Sequence, residues 1–299
     1  MPYPEAISHF SEATQLFIRK IHNRVESGKN ALILVVGETG SGKSYSCIEL
    51  ALGLYLYRHG KPQEAEDFMS HLSFTLEEFL TSLQGAEMKK KQIYIWEEAG
   101  VSINNKKWQS KTNQIMGYLT QTFRTLQHIV FINVPCTSFI DKTVRQLLHY
   151  EITARRIDKK QKLCFLRPLE LQYNNTFNKL YRHGLIMITQ KGTMEIDEIS
   201  VGLAPKEYII PYEERKASYT KGNIEKWRKE LAKDRLKKDG KVLKPLTTRQ
   251  IQIVDCINKL GIKNPTEIGK KIDWHPSNVE KNIGFIQQKG YELKLEEIT

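Results

Sequence analysis

The chain has 299 residues, of which 40% are hydrophobic, and a formal net charge of +12. This length accommodates one large α/β domain and a small second domain. No apolar stretch reaches the roughly 18–20 residues of a membrane span, and the first ten residues lack the apolar core of a signal peptide. The sequence predicts a cytoplasmic protein, or a virus-associated one in the host cytoplasm, whose basic charge favours a polyanionic partner.

The first predicted element is an amphipathic helix over residues 5–27, which ends near Gly28. Its apolar positions recur at helical spacing and include Ile7, Phe10, Phe17, Ile18, Ile21 and Val25. We expect this helix to pack on the domain that follows it. The alternative is a helix that lies on a membrane surface, but its mixed charges disfavour that role.

A phosphate-binding loop follows an apolar run, Ile33–Val36, that is typical of a buried parallel strand. Residues 37–44 match G-x-x-x-x-G-K-S, and Tyr45–Tyr57 has the spacing of a helix. The glycines let backbone N–H groups turn towards a phosphate, and the helix N-terminus adds partial positive charge. Lys43 would reach the β- and γ-phosphates of ATP, and the Ser44 hydroxyl would ligate Mg²⁺. The predicted nucleotide-binding residues are Gly37, Glu38, Thr39, Gly40, Ser41, Gly42, Lys43, Ser44 and Tyr45.

Two acidic residues end the next apolar run, Ile93–Trp96. We expect this strand to lie beside the first, so that its carboxyl end faces the phosphate loop. Glu97 would then hold Mg²⁺, directly or through a water, and Glu98 would act as the base that polarises the attacking water. A solvated acidic loop is the alternative, which the phosphate loop disfavours.

A third strand is predicted over residues 128–135, after a stretch of helical spacing over residues 110–126 that ends near Arg124. Asn133 is a polar residue near the end of this otherwise apolar strand. It is a candidate catalytic residue that would bond the attacking water or a γ-phosphate oxygen. The other interpretation is an asparagine that begins a turn before Pro135.

The following segments predict a β-hairpin and then a charged stretch. Tyr150–Ile157 and Leu163–Leu169 are strand-like, and the lysines of their connecting turn, Lys159, Lys160 and Lys162, could contact DNA or simply be solvated. Residues 211–244 are dense in lysine, arginine and glutamate. A solvated helix or linker is the default interpretation of that stretch, and a basic DNA-tracking helix is the alternative.

The C-terminal residues have the pattern of a winged helix. Helices are predicted over residues 247–260, 265–272 and 276–288, and residues 291–298 would supply the wing strand. The third helix would enter a DNA major groove through Ser277, Asn278, Lys281 and Asn282. Small three-helix modules also bind proteins, so both kinds of partner stay open here.

These segments together resemble the FtsK/HerA superfamily of RecA-like DNA-pumping ATPases, and within it the Zot-like and viral packaging ATPases. The resemblance is carried by the phosphate loop, by residues 93–99, and by residues 108–145, which include Trp108, Phe123, Arg124 and Pro135. It covers roughly residues 28–170. Two features depart from the family pattern: Glu97 stands where aspartate is more usual, and there is no membrane anchor of the Zot type.

The resemblance implies a ring, usually a hexamer, in which an arginine of one subunit completes the next subunit's site. By position Arg124 is the best candidate for this catalytic arginine, and Arg145 is the second. An arginine that bonds helix-end carbonyls is the alternative for both. Asn133 corresponds to the polar sensor position, where glutamine is commoner.

The sequence therefore predicts a RecA-like P-loop NTPase of the α/β class with a mainly parallel central sheet, plus a small winged-helix domain. The predicted regions are an N-terminal helix (1–28), the ATPase domain (29–204), a charged linker (205–244) and the winged helix (245–299). The predicted function is a homo-oligomeric motor that hydrolyses ATP with Mg²⁺ as cofactor and moves duplex DNA, and a capsid or other assembly component is a further candidate partner. The alternatives are a nucleotide-switched DNA-binding regulator and a small-molecule kinase, and two acids after a strand without an arginine-rich lid disfavour the kinase.

Overall fold

The computed structural model describes residues 2–84, 89–97, 123, 125–140, 142–189, 192–238, 246–289, 291 and 293. The chain forms two compact units, Met1–Tyr219 and Thr220–Thr299. The boundary between them falls inside the predicted charged linker, whose first residues belong to the unit that holds the phosphate loop. In the described residues, no helix combines the length and the apolar character that a bilayer crossing requires.

The first unit contains helices on both sides of a β-sheet. Its described helices of four or more residues are α1 (Glu12–Glu26), α2 (Lys43–His59), α3 (Ala65–Ser70), α4 (Leu76–Gln84), α5 (Lys142–Arg145) and the start of α6 (Lys206–Lys238), with 3₁₀ turns at Pro4–Ile7 and Thr137–Phe139. Its strands are β1 (Ala31–Val36), β2 (Leu72–Ser73), β3 (Ile93–Trp96), β4 (Ile129–Asn133), β5 (Tyr150–Asp158), β6 (Leu163–Asn174), β7 (Lys179–Thr189), β8 (Gly192–Ile196) and β9 (Ile199–Val201).

Five strands pair in parallel in the order β2-β3-β4-β1-β5. This α/β arrangement around β1 confirms the predicted fold class. The expectation that the strand before Glu97 lies beside β1 is wrong, because β4 pairs with both β1 and β3 and separates them. The cause of the error is that β3 and β4 are both short, fully buried apolar runs. Nothing in either run indicates which one neighbours β1.

The sheet continues beyond β5 as an antiparallel extension. The predicted hairpin is confirmed, since β6 pairs antiparallel with β5. Strands β7 and β8 then follow in order, and β9 pairs with the other end of β6. These last three strands were not predicted. Much of β7 and β8 is exposed, so their sequences lack the long apolar runs of the parallel strands.

The side chains of β1 alternate between two hydrophobic cores, because successive residues of a strand point to opposite faces. Ile33 and Val35 pack with α1 and α2, whereas Leu32 and Leu34 pack with residues such as Trp96 on the other face. The N-terminal helix therefore packs on the core of the first unit, as expected. It is shorter than predicted, since α1 begins after Ser11, whose hydroxyl accepts the backbone N–H of Thr14 at 3.3 Å.

The described part of the charged stretch predicted over residues 211–244, up to Lys238, belongs to the long helix α6, which begins earlier, at Lys206. Pro211 lies inside α6, and the apolar residues around it are buried: Tyr208, Ile209 and Tyr212. Arg215 donates to the Met69 carbonyl at 2.7 Å. The first part of α6 is therefore a core helix of the first unit and not a solvated linker.

The second unit contains three short helices after the end of α6: α7 (Thr248–Asn258), α8 (Pro265–Ile272) and α9 (Pro276–Gln288). The three predicted helices are confirmed, and their core contains Ile253, Ile257, Ile268, Val279 and Ile286. Thr247 and Gln250 form a reciprocal capping box at the start of α7. Of the expected wing, residues 291 and 293 alone are described, so the winged helix stays a prediction.

Candidate functional site

The phosphate loop connects the buried strand β1 to the first turn of α2, which begins at Lys43. Gly40 and Gly42 have φ angles of +81° and +84°, a conformation that favours glycine. A Cβ atom on Gly42 would also lie 3.1 Å from Cys164 Sγ. The loop is half-buried to exposed. Its position at the N-terminus of a 17-residue helix is that of an anion site open to a nucleotide.

The ammonium group of Lys43 folds back over the loop. Its Nζ atom donates to the carbonyl oxygens of Gly37, at 2.7 Å, and Glu38, at 2.6 Å. A lysine in this position is already within the loop that would hold the phosphates. Reaching the β- and γ-phosphates requires a change of side-chain rotamer, while α2 can remain where it is.

A compact polar cluster lies at the carboxyl ends of the parallel strands. The Ser44 hydroxyl donates to Glu97 Oε2 at 3.0 Å. Asn133 Nδ2 donates to the same Glu97 oxygen at 2.9 Å and to Ser44 Oγ at 3.1 Å. Glu97 is 0% exposed and Asn133 is 4% exposed. The structure therefore brings together three residues that the sequence places up to 89 positions apart.

The length of the glutamate side chain explains how this cluster forms despite the corrected strand order. Adjacent strands lie about 4.8 Å apart, so the end of β3 starts about 10 Å from β1. The backbone N–H of Glu97 is fixed by the Ser73 carbonyl at 2.8 Å, and its side chain extends towards Ser44. Asn133, in register with Val35 of β1, lies on the intervening strand and bonds both groups. A glutamate at this position thus reaches across a strand to the Ser44 hydroxyl, although aspartate is more usual there.

The hydrogen bonds of Asn133 differ from those expected from the sequence. Its amide nitrogen is directed at Glu97 and Ser44, and so orients the acidic residue. Its Oδ1 atom is buried and has no hydrogen-bond partner within the described residues. A role for this residue in contact with the γ-phosphate or the attacking water stays a prediction.

The donor set of this cluster fits Mg²⁺. A serine hydroxyl and a carboxylate 3.0 Å apart are hard oxygen ligands of the kind that Mg²⁺ prefers. Mg²⁺ also binds through few protein ligands when substrate phosphates supply the others. Among the described residues, Ser44 and Glu97 are therefore the two that could hold the metal of a nucleotide complex.

Two cysteines border the loop. Cys164 Sγ donates to the Ser41 carbonyl at 3.3 Å, and Cys47 is fully buried one turn into α2. Burial raises the pKa of both thiols, and the charge of Glu97 raises that of Cys47 further. Both thiols are therefore protonated and serve as packing groups beside the site.

Helix α6 contributes to the site, although sequence reasoning did not predict this. The Tyr45 hydroxyl bonds Glu213, and Lys216 Nζ lies 3.0 Å from the Tyr212 hydroxyl and 3.5 Å from Ser44 Oγ. Burial, followed by the negative charge of Glu97, raises the pKa of Tyr212. The spacing of Tyr208, Ile209 and Tyr212 was the available signal that this end of α6 is buried. The high charge of the rest of the stretch obscured it.

The described residues do not place three of the predicted catalytic residues at the site. Glu98 and Arg124 lie outside the described residues. Arg145, the second candidate for the intersubunit arginine, ends the short helix α5 and is half-buried. Its Nε atom has no hydrogen-bond partner within the described part of the chain. The base and the arginine therefore stay predictions.

No protein-family model matches the sequence, and no curated protein is significantly similar to it. Several solved structures are similar in part, among them the following three. A DNA polymerase III gamma subunit-related protein of Thermotoga maritima is 14% identical, with 48% of this chain and 47% of that chain covered and a TM-score of 0.31. The flagellar accessory protein FlaH of Methanocaldococcus jannaschii is also 14% identical, with 59% and 94% covered and a TM-score of 0.29.

The N-terminal domain of zonular occludens toxin from Neisseria meningitidis is 12% identical, with 52% of this chain and 95% of that chain covered and a TM-score of 0.26. The chain thus spans about half of the Thermotoga protein and nearly all of the other two. Because every one of these TM-scores is below 0.5, function must be argued from the site itself. That site has the strand, glycine loop, lysine, serine and acidic strand end of a P-loop nucleoside-triphosphate site.

Proposed function

We propose that this chain is an ATPase that binds ATP and Mg²⁺ at the phosphate loop. The observation that carries the proposal is the cluster of Ser44, Glu97 and Asn133, which meets at the first turn of α2. A glycine-rich turn that merely begins a helix would not require a fully buried glutamate from a strand two positions away. The burial of that carboxylate beside a half-exposed loop fits a binding site for a metal–nucleotide complex.

Different residues of the chain bind the phosphates and the metal. Backbone N–H groups of the loop and the N-terminus of α2 hold the phosphates. Lys43 moves from the Gly37 and Glu38 carbonyls to the β- and γ-phosphates, where its charge stabilises the transferring group. Ser44 and Glu97 hold Mg²⁺, which neutralises phosphate charge when it is bound. Asn133 fixes the Glu97 carboxylate, and we assign the activation of water to Glu98.

We further propose that hydrolysis drives the movement of duplex DNA. The net charge of +12 supports a polyanionic partner. It is concentrated in places: residues 220–238 contain eight lysines and arginines against three acidic residues. In the hairpin of β5 and β6, the turn carries exposed lysines at positions 159, 160 and 162. Phosphate contacts of this kind bind DNA without regard to sequence, as a motor requires.

The alternative function is a regulator whose DNA binding is switched by the nucleotide. Its support is the three-helix module, in which Ser277, Asn278 and Lys281 of α9 are exposed. Asn282 is less available, because its side chain bonds Gln250 at 3.0 Å and the Asn278 carbonyl at 2.8 Å. Within α9, Lys281 is accompanied by Glu280, so this helix has no excess of positive charge. The motor is therefore the favoured proposal.

The rate of ATP hydrolysis with different DNA molecules distinguishes the two functions. A motor should hydrolyse ATP faster with long duplex DNA of any sequence, and the stimulation should increase with DNA length. A regulator should hydrolyse slowly and bind one sequence far better than others. Stimulation that depends on one sequence, or no stimulation at all, would contradict the motor.

A subunit-mixing assay tests the proposed ring and the role of Arg124. Arg124→Ala subunits and Lys43→Ala subunits should each be inactive alone. A mixture should recover activity, since some interfaces combine an intact phosphate loop with an intact neighbouring arginine. Mixed assemblies that form but recover nothing would contradict an intersubunit role for Arg124 and direct the test to Arg145.

A further inference from the structure

The ammonium group of Lys216 lies on the metal side of the phosphate loop. Its Nζ atom is 3.5 Å from Ser44 Oγ, the atom that would ligate Mg²⁺. Tyr212, one helical turn earlier on α6 and 1% exposed, accepts from the same Nζ at 3.0 Å. A buried tyrosine hydroxyl thus holds the charged end of this lysine close to the Ser44 hydroxyl.

The hydrogen bonds of Ser44 leave its hydroxyl without a vacant lone pair. A serine hydroxyl has one donor hydrogen and two acceptor lone pairs. The hydrogen is directed at Glu97, and the lone pairs face Asn133 Nδ2 at 3.1 Å and Lys216 Nζ at 3.5 Å, while the Tyr212 hydroxyl also bonds Ser44. A direct bond between Ser44 Oγ and a metal ion therefore requires one of the two nitrogen donors to withdraw.

Lys216 is the donor that can withdraw more easily. Its contact with Ser44 is the longer of the two, and its side chain has several rotatable bonds, whereas Asn133 is buried on a central strand. Lys216 is also a cation close to the place where a second cation would bind. Two positive charges a few ångströms apart repel each other, so an ammonium group beside Ser44 and a metal ion at Ser44 weaken each other's binding.

We propose that Lys216 competes with the divalent cation for the Ser44 hydroxyl. It occupies the metal side while the site is empty, and it leaves the Ser44 hydroxyl when the metal–nucleotide complex binds. The backbone of α6 stays in place, because Tyr208, Tyr212 and the bond from Arg215 to the Met69 carbonyl anchor it to the core. Metal binding is then weaker than the oxygen ligands alone would make it. This inference rests on the proposed nucleotide function.

The affinity of the full-length chain for Mn²⁺, with a non-hydrolysable ATP analogue bound, tests the proposal without measuring activity. Free Mn²⁺ is counted by its electron paramagnetic resonance signal. Lys216→Met should lower the Kd for Mn²⁺ by about fivefold or more, the usual scale of coupling between two sites. Lys216→Gln should give the same shift. Lys216→Arg, which keeps the charge, should remain close to the unmodified chain.

Lys206→Met is the matched control, because Lys206 is an exposed lysine at the first position of the same helix. It should leave the Kd for Mn²⁺ unchanged. Unaltered or weaker Mn²⁺ binding in folded Lys216→Met and Lys216→Gln variants would overturn the competition. An equal gain of affinity in Lys216→Arg would also overturn it, since charge would then not be the cause.

A nucleotide-binding measurement separates this failure from a failure of the proposed function. A fluorescent ATP analogue at saturating Mg²⁺ should bind the unmodified chain and should bind Lys43→Ala much more weakly. If the unmodified chain does not bind it, the nucleotide site itself is wrong. If it binds and the Mn²⁺ affinity does not respond to Lys216, the competition alone is wrong.

Discussion

The two halves of the candidate site are built in different ways. The phosphate half comes from eight consecutive residues, and its lysine bonds two carbonyls of the same loop. The metal half comes from Ser44, Glu97 and Asn133, which meet only because three strands and a helix are packed together. The first half is therefore a local structure that the sequence can specify alone. The second depends on the tertiary fold.

A further comparison is offered by Glu49, which, like Glu97, is a buried glutamate and lies on the helix that follows the phosphate loop. Glu97 accepts bonds from Ser44 and Asn133. Glu49 is on α2, at 8% exposure, and its carboxylate lies 3.8 Å from His9 Nε2. Burial raises the pKa of Glu49 to about 7. Only Glu97 has the surroundings of a functional carboxylate, so the two residues should respond differently to neutralisation.

The largest effect is expected from breaking the phosphate half. Lys43→Ala should reduce ATP turnover by about 10³-fold, because the removed charge acts on the transferring phosphoryl group. Its thermal stability should change little, since Lys43 is half-exposed and bonds the Gly37 and Glu38 carbonyls of its own loop. Steady-state phosphate release and thermal unfolding measure the two quantities. Near-normal turnover in a folded variant would show that the phosphate loop is not part of the ATPase site.

Breaking the metal half should have the next largest effect. Glu97→Gln should slow hydrolysis by about 10²-fold and weaken Mg²⁺ binding, because a neutral amide replaces the metal-side charge. Glu98→Gln should also be slow but should retain bound ATP and Mg²⁺. Metal titration of both variants separates the roles. If Glu97→Gln retains ATP and binds Mg²⁺ normally, then Glu97 is the base and the assignment of the two acids is reversed.

Removing the residue that orients Glu97 should have a smaller effect. Asn133→Ala leaves the carboxylate in place but removes two hydrogen bonds, at 2.9 and 3.1 Å. Loss of such an orienting partner usually costs about 10- to 100-fold in metal affinity or activity, and we expect the lower end. The Mg²⁺ concentration for half-maximal hydrolysis should increase. A normal Mg²⁺ dependence with a low maximal rate would instead favour the predicted contact with water or the γ-phosphate.

The sequence predicted the local parts of this molecule best. Apolar spacing, glycines and helix caps act within a few residues of the chain. These local signals predicted the loop, the strands β1, β3 and β4, the first hairpin and the three helices of the second unit. The predicted neighbour of β1 was wrong because strand pairing depends on how other elements pack against both faces of the sheet. The contacts of Lys216 were missed for the same reason, since they join residues 172 positions apart.

The smallest effect on catalysis is expected at Glu49, where stability should change instead. The folded state raises the pKa of this carboxyl from 4.5 to about 7, so it favours the protonated form and loses stability as the pH rises between these values. Glu49→Gln should therefore stabilise the chain at pH 8 by up to about 3 kcal/mol and by much less at pH 5. Urea denaturation at both pH values measures this, with turnover unchanged. A loss of turnover would place Glu49 in the site.

The most direct test of the account is phosphate release from ATP by the purified full-length chain, with Mg²⁺ and with a chelator, for three proteins. The unmodified chain and Glu49→Gln should release phosphate at similar rates, and both should depend on Mg²⁺. Glu97→Gln should be slower by about 10²-fold. Metal-independent release, or equal rates in Glu97→Gln and Glu49→Gln, would contradict the claim that Ser44, Glu97 and Asn133 form the metal side of an ATPase site.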